Sequence, residues 1–214
     1  MDSRKIYLGA AIGFTILFTA ATSVLAQTKT IVDEWATVQA PKPPALKPVT
    51  LDPKTTALLV LDFVKQGCNN ERRPRCVASV PKVQSLLSRT RSDKASVVFS
   101  VSSASTPADI LKEVAPLEGE PMVKASAQKF LGTDLEKILK DKGINTVVVV
   151  GTSAHGVVLL TGSEAALRGF KVIVPVDGMS SDNTYFEQYT AYHLANAPGV
   201  AQQVTLTRTD MIKY

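Results

Sequence analysis

The sequence predicts a three-layer, Rossmann-like α/β fold, in which a mainly parallel sheet of about six strands carries helices on both faces. Three observations predict it. Short, wholly apolar runs recur along the chain, helix-length segments fall between them, and 214 residues at 45% hydrophobic content are enough to bury a sizeable core. That length accommodates a single domain.

Taken in chain order, Arg4 and Lys5 precede an uncharged stretch from Ile6 to Ala26, which closes on Val24-Leu25-Ala26. A basic start, an apolar centre and small residues before Gln27 read as a secretory signal peptide over residues 1–26, cleaved after Ala26. No Cys at position 27 offers a lipid attachment. The expected location is secreted or periplasmic, with no stable membrane span after cleavage. An uncleaved anchor is the alternative, since the stretch approaches the roughly 20 residues that span a bilayer.

Residues 27–54 contain Pro41, Pro43, Pro44, Pro48 and Pro53, which forbid a continuous helix and favour an extended arm over the domain, docked near Trp35. The domain itself is assigned to residues 55–214. Within it Ala57 to Leu61, Ser96 to Val101, Thr146 to Val150 and Lys171 to Val174 are strand-like, with Pro121 to Val123 and Val204 to Leu206 as weaker strands. Helices are predicted over Val80 to Arg91, Asp134 to Lys142, Val157 to Arg168 and Tyr185 to Asn196. Thr133 and Glu136 have capping-box spacing, and Gly143 and Gly169 stop the helices before them.

Composition excludes several functions. Lys and Arg number 24 against 19 Asp and Glu, a net charge of +5, but both signs are scattered and the one dense basic run is Arg72, Arg73 and Arg75. Nucleic acid is therefore not an expected partner. Two His and no CxxC pair exclude a Cys-rich zinc site and an HExxH helix, and without GxGxxG spacing no dinucleotide cofactor is expected. In an oxidising compartment Cys68 and Cys76, the ends of CNNERRPRC, default to a disulfide, with free thiols as the alternative.

In such a sheet, ligands bind at the carboxyl ends of the strands. Asp62 ends the first strand, where partial desolvation suits a carboxyl group to acid or base work; an Asp that merely caps the next loop is the plainer reading. Lys124 could bring an ammonium beside it. The turn from Gly151 to Gly156, with Thr152, Ser153 and His155, could offer backbone N–H groups and hydroxyls to a small substrate, although a His at a helix start is commonly a cap or packing residue. His193 reads as a helix-surface or packing residue. A phosphate-binding loop is rejected because Val157 and Val158 stand where Lys and Ser or Thr are required.

These segments resemble the isochorismatase-like cysteine hydrolase superfamily over roughly Thr56 to Leu206. TALLVLDFVKQ is similar to its first strand and catalytic Asp, here Asp62. VKASAQKFLGTDLEKILKDKGINTVVVVG is similar to the segment that opens on the catalytic Lys, here Lys124, and runs through an aromatic at Phe130, counted with the substrate-binding residues. GTSAHGVVLLTGSEAALRGFKVIVPVDGMSS resembles the nucleophile turn and helix, in which the amidase members' Cys falls on Val157. The resemblance thus implies a hydrolase for a small carbonyl, amide or vinyl-ether substrate without a covalent Cys intermediate, as in the isochorismatases proper, where an Asp is the general acid. Val157 is bulkier than the small residue those enzymes use. A relocated Cys68 nucleophile and a catalytically inactive binding module are the alternatives. The family's metal-binding cluster finds no match, and a homo-oligomer is implied.

Overall fold

In a computed structural model, which describes residues 29–214, the chain divides into a short N-terminal unit ending at Pro41 and a domain from Lys42 to Tyr214. The expected signal segment lies outside the described residues. In the N-terminal unit one helical turn, α1 (Ile31–Glu34), is capped by Asp33, whose carboxylate accepts from Thr30 N at 2.8 Å. Trp35 in this unit is 73% exposed.

In the domain, β1 (Val49–Thr50) pairs in parallel with β9 (Ile212–Lys213), and Lys47 N donates to Leu206 O at 2.9 Å. Prolines keep this stretch extended, so its free backbone groups bond to the C-terminal segment instead of to one another.

The main sheet contains β2 (Thr56–Leu61), β3 (Ser96–Ser102), β4 (Met122–Ala125), β5 (Thr146–Thr152), β6 (Lys171–Pro175) and β8 (Val204–Thr207). Their order is β4-β3-β2-β5-β6-β8 and every pairing is parallel, with the two-residue β7 (Met179–Ser180) extending the end of β5. All six predicted strands are present. β2 and β5, buried along their whole lengths, occupy the centre, as an uninterrupted run of aliphatic residues requires when both faces are covered.

The side chains of β2 divide between two cores. Ala57, Leu59 and Leu61 pack among residues of α3 (Leu135–Asp141), α4 (Leu159–Leu167) and α5 (Thr184–Asn196). Leu58 and Val60 pack against Val80, Val83, Leu86 and Leu87 of α2 (Pro74–Ser92). This is the expected three-layer arrangement, one helix on one face and three on the other.

Two helix starts differ from expectation. α2 begins at Pro74, six residues before the predicted Val80, and passes through Pro81. Pro74 occupies the first turn, where its missing N–H is harmless, and Ser79 Oγ donates to Cys76 O at 2.7 Å ahead of the second proline. The capping box at Thr133 is absent; Thr133 Oγ1 accepts from Leu135 N at 3.2 Å and donates to Lys129 O. Asp134 holds the cap position without a side-chain bond.

At the end of β5 the backbone comes close to β2. A Cβ on Gly151 would lie 2.9 Å from both Leu61 Cβ and Leu61 O, so only glycine fits at this crossing. Gly151→Ala is expected to lower stability by about 1–3 kcal/mol, read as a shift of the urea midpoint without a change in slope.

Candidate functional site

The carboxyl ends of β2, β3 and β5, closed by the loop before α2, surround a cleft of about 490 Å³. Asp62 lies on its floor immediately beyond β2, with φ +58°, a left-handed conformation that Asp tolerates better than most residues. This conformation turns the chain out of the strand, and Val64 N donates back to Asp62 O at 2.8 Å. Ser100 Oγ, buried on β3, donates to Asp62 Oδ1 at 2.7 Å.

The ammonium that meets Asp62 is that of Lys129, with Nζ 2.9 Å from Oδ2. Lys124, expected in this place, is exposed instead: β4 alternates, so Val123 and Ala125 point inward and Lys124 points to solvent. Lys129 is fully buried, and its remaining two donors reach Ala125 O at 3.0 Å and Val101 O at 3.3 Å. Three acceptors use all three ammonium hydrogens, so Lys129 acts on the cleft only through Asp62. Thr161 Oγ1 of α4 accepts from Lys129 N at 3.3 Å and so fixes its backbone as well. Burial pushes the Lys129 ammonium below its ordinary 10.5, and the facing carboxylate opposes that shift.

The expected turn is only partly in the cleft. Thr152, Ser153 and Val157 line it. His155 points elsewhere: Nδ1 lies 2.7 Å from Ser181 Oγ and the ring stacks on Phe186 with centroids 4.1 Å apart. Gly156 N donates to Ser153 O at 3.2 Å, so it offers no donor to a ligand. A wide turn over Ala154–Val158, of π-helical pitch, leads into α4, with Val158 N donating to Ser153 O at 3.4 Å. Phe130 is also out of reach; it is buried in the core 6.1 Å from the Phe170 ring centroid, with the Arg168 guanidinium 5.1 Å from its own centroid.

Cys68 and Cys76 are disulfide-bonded, and no other cysteine exists in the chain. The relocated-thiol alternative therefore falls. The bond closes the loop that carries Arg72 and Arg73 to the cleft wall. Arg73 is only 8% exposed; its Nε donates to Asp182 Oδ1 and its Nη1 to Thr152 Oγ1, both at 2.8 Å. The Arg73 bond holds the Asp182 carboxyl below its ordinary 3.8. Arg72 and Arg75, in the same basic run, are exposed. The remaining wall is rich in hydroxyls, including Ser102, Ser105 and Ser126, and contains no aromatic side chain. Among the described residues no cluster of three His, Cys, Asp or Glu could hold a metal, and no helix is long and apolar enough to cross a membrane.

A parallel α/β sheet with a paired carboxylate and ammonium in a cleft at its strand ends belongs to the class of folds that act on small molecules at that edge. The isochorismatase domain family matches residues 56–208, and this chain belongs to that family. It is 31% identical over 144 residues to a secreted isochorismatase effector of Verticillium dahliae, a match covering 62% of this chain and 76% of that protein. It is 33% identical over 93 residues to the N-carbamoylsarcosine amidase of an Arthrobacter species, covering 43% of this chain and 35% of the amidase. Among solved structures, an isochorismatase-like hydrolase from Alkaliphilus metalliredigens is similar with a TM-score of 0.66 and 24% identity, over 73% of this chain and 95% of that one. The N-carbamoylsarcosine amidase of Thermoplasma acidophilum has a TM-score of 0.63 and 22% identity, over 73% of this chain and 97% of that one.

Proposed function

We propose that this protein is an exported hydrolase that cleaves a small vinyl ether, or a related carbonyl or amide compound, without a covalent cysteine intermediate. The observation that carries the proposal is the pairing of Asp62 with Lys129 at the cleft floor, in a chain whose two cysteines are bonded to each other. Val157, where the amidase resemblance would place a thiol, lines the same cleft.

In this scheme Asp62 gives a proton to the terminal vinyl carbon, and the adjacent carbon becomes an oxocarbenium ion. Water adds to that ion and returns a proton to Asp62, after which the hemiketal separates into a carbonyl compound and an alcohol. Lys129 is the charge partner. Its buried ammonium stabilises the carboxylate left when Asp62 has given up its proton, and burial makes it a readier proton donor to Asp62 than a solvated lysine.

Export is supported by the basic-apolar-small pattern of residues 1–26, by the disulfide, and by similarity to the secreted Verticillium effector. A homo-oligomer accords with Leu160, Tyr185, Tyr189 and Tyr192, which α4 and α5 leave exposed. One observation favours a catalytically inactive binding module, namely the branched Val157 side chain in the space where a reacting thiol would stand.

The test is turnover by the purified protein of a panel of vinyl ethers, carbamoyl compounds and amides, each repeated with Asp62→Asn and with the more stable double variant Asp62→Asn, Lys129→Met. Vinyl-ether cleavage lost in both variants is the expected result. Turnover that persists in the folded double variant would place the chemistry elsewhere.

A further inference from the structure

We propose that Arg73 is the anion-recognising residue of the cleft, held in position by the Cys68–Cys76 loop, and that the cleft's ligand carries a carboxylate. Calling that ligand a substrate rests on the hydrolase reading above; the binding claim does not.

A guanidinium that is 8% exposed must be compensated. Only part of Arg73 is. Nε reaches Asp182, whose side chain is 48% exposed and shared with solvent, and Nη1 reaches Thr152. Nη2 donates to no group among the described residues, and Arg73 lines the cleft. Of the five guanidinium N–H donors, the two on Nη2 are therefore fixed in direction and have no protein acceptor. Arg75, two residues on, differs. Its Nε and Nη2 both engage the Glu187 carboxylate, as a purely structural tie between α2 and α5 would.

Arg73 is also held rigidly. Its backbone N donates to Asn69 O at 2.8 Å, and Cys76 N donates to Arg73 O at 2.9 Å, inside the loop that the disulfide closes. A guanidinium oriented before the ligand arrives loses little freedom on binding, and a carboxylate is the planar acceptor that suits it. With no aromatic side chain in the wall, the ligand is held by this charge and by the surrounding hydroxyls, not by stacking.

Malonate serves as the probe, with uncharged malonamide as its control, titrated into the purified protein while the Arg73 Nε–H resonance of the parent, and the Thr152 and Ser153 amide resonances of the parent and every variant, are followed by NMR. Arg73→Gln and Arg73→Lys are compared with Lys137→Gln, which removes one charge from the exposed face of α3. Saturable shifts at Arg73 with malonate but not malonamide are expected. Affinity should fall at least about tenfold in both Arg73 variants, since lysine keeps the charge but not the fork, and stay within about twofold in Lys137→Gln. The Cys68→Ser, Cys76→Ser variant should bind more weakly than the parent. Unchanged affinity in either Arg73 variant, or no saturation by about 50 mM malonate, overturns the assignment of Arg73. Unchanged affinity in the serine variant overturns the role of the loop. β5 amide resonances report whether each variant is folded; if Arg73→Gln is not, Arg73→Lys decides. Because binding is read without turnover, malonate binding in a protein that cleaves nothing would sink the hydrolase reading alone. Turnover with Arg73→Gln binding malonate normally would sink this one alone.

Discussion

Asp62→Asn is expected to lower stability by about 3–5 kcal/mol, the range typical when one partner of a buried ion pair is removed. Lys129 is fully buried, and among the described residues Asp62 is the only carboxylate within bonding reach of its ammonium. Asparagine keeps the shape, accepts from Ser100, and tolerates the left-handed backbone at φ +58°, so neither packing nor strain accounts for the loss. What remains is an ammonium without a counter-charge, facing either an amide oxygen that carries no charge or an amide N–H₂ that is itself a donor. Burial already pushes Lys129 below 10.5, and removal of the opposing carboxylate lets it fall further. The second variant makes the argument checkable. Asp62→Asn, Lys129→Met removes both charges and should recover most of the stability, because methionine fills a similar volume with no charge to desolvate. Urea denaturation of the three proteins is the measurement. A single variant as stable as the parent would mean that the pair is solvated, and a double variant no better than the single would mean that Lys129 matters through packing alone.

The same pair shows where sequence reasoning succeeds and where it stops. Asp62 is legible because five aliphatic residues precede it, and a run such as Ala57 to Leu61 has few uses other than a strand buried on both faces. Lys129 was missed because the spacing of the family resemblance falls on Lys124. The signal that could have found it is the period-two pattern of the short strand. Val123 and Ala125 share one face, which puts Lys124 on the other, whereas Lys129 adjoins the buried Phe130. Phe130 was drawn into the site by the same resemblance, although an aromatic beside a core helix is more simply core. The turn after β5 follows from the apolar run that ends at Gly151, but the directions of His155 and Gly156 depend on Ser181, Phe186 and the wide turn itself, which no local pattern encodes. Arg73 was least legible. In RRPR nothing local distinguishes it from Arg72 and Arg75, and its acceptors, Thr152 and Asp182, lie 79 and 109 residues away. Only tertiary structure selects which of three neighbouring arginines turns inward.

Removing the disulfide, as Cys68→Ser, Cys76→Ser, is expected to cost about 2.5 kcal/mol by the chain-entropy argument for a loop of about eight residues. Reduction of the parent protein should give the same change. The location of the loss is the sharper prediction. α2 keeps its interior contacts through Val83, Leu86 and Leu87, and its first turn keeps the Arg75–Glu187 pair, so the helix as a whole should persist. The segment from Cys68 to Arg73 has no apolar anchor other than Cys68, which enters that core bonded to Cys76 of α2. Hydrogen exchange should therefore accelerate over residues 68–77, while β2 and β5 amides still exchange only by global unfolding. This differs from the Asp62→Asn case, where the uncompensated charge sits between β2 and the Lys129 segment and every amide should open more readily. If reduction speeds exchange across the whole sheet, the loop is integral to the fold. If it changes nothing, the arginine pairs alone hold it, and the cleft wall would be as well formed in a reducing compartment as in an oxidising one.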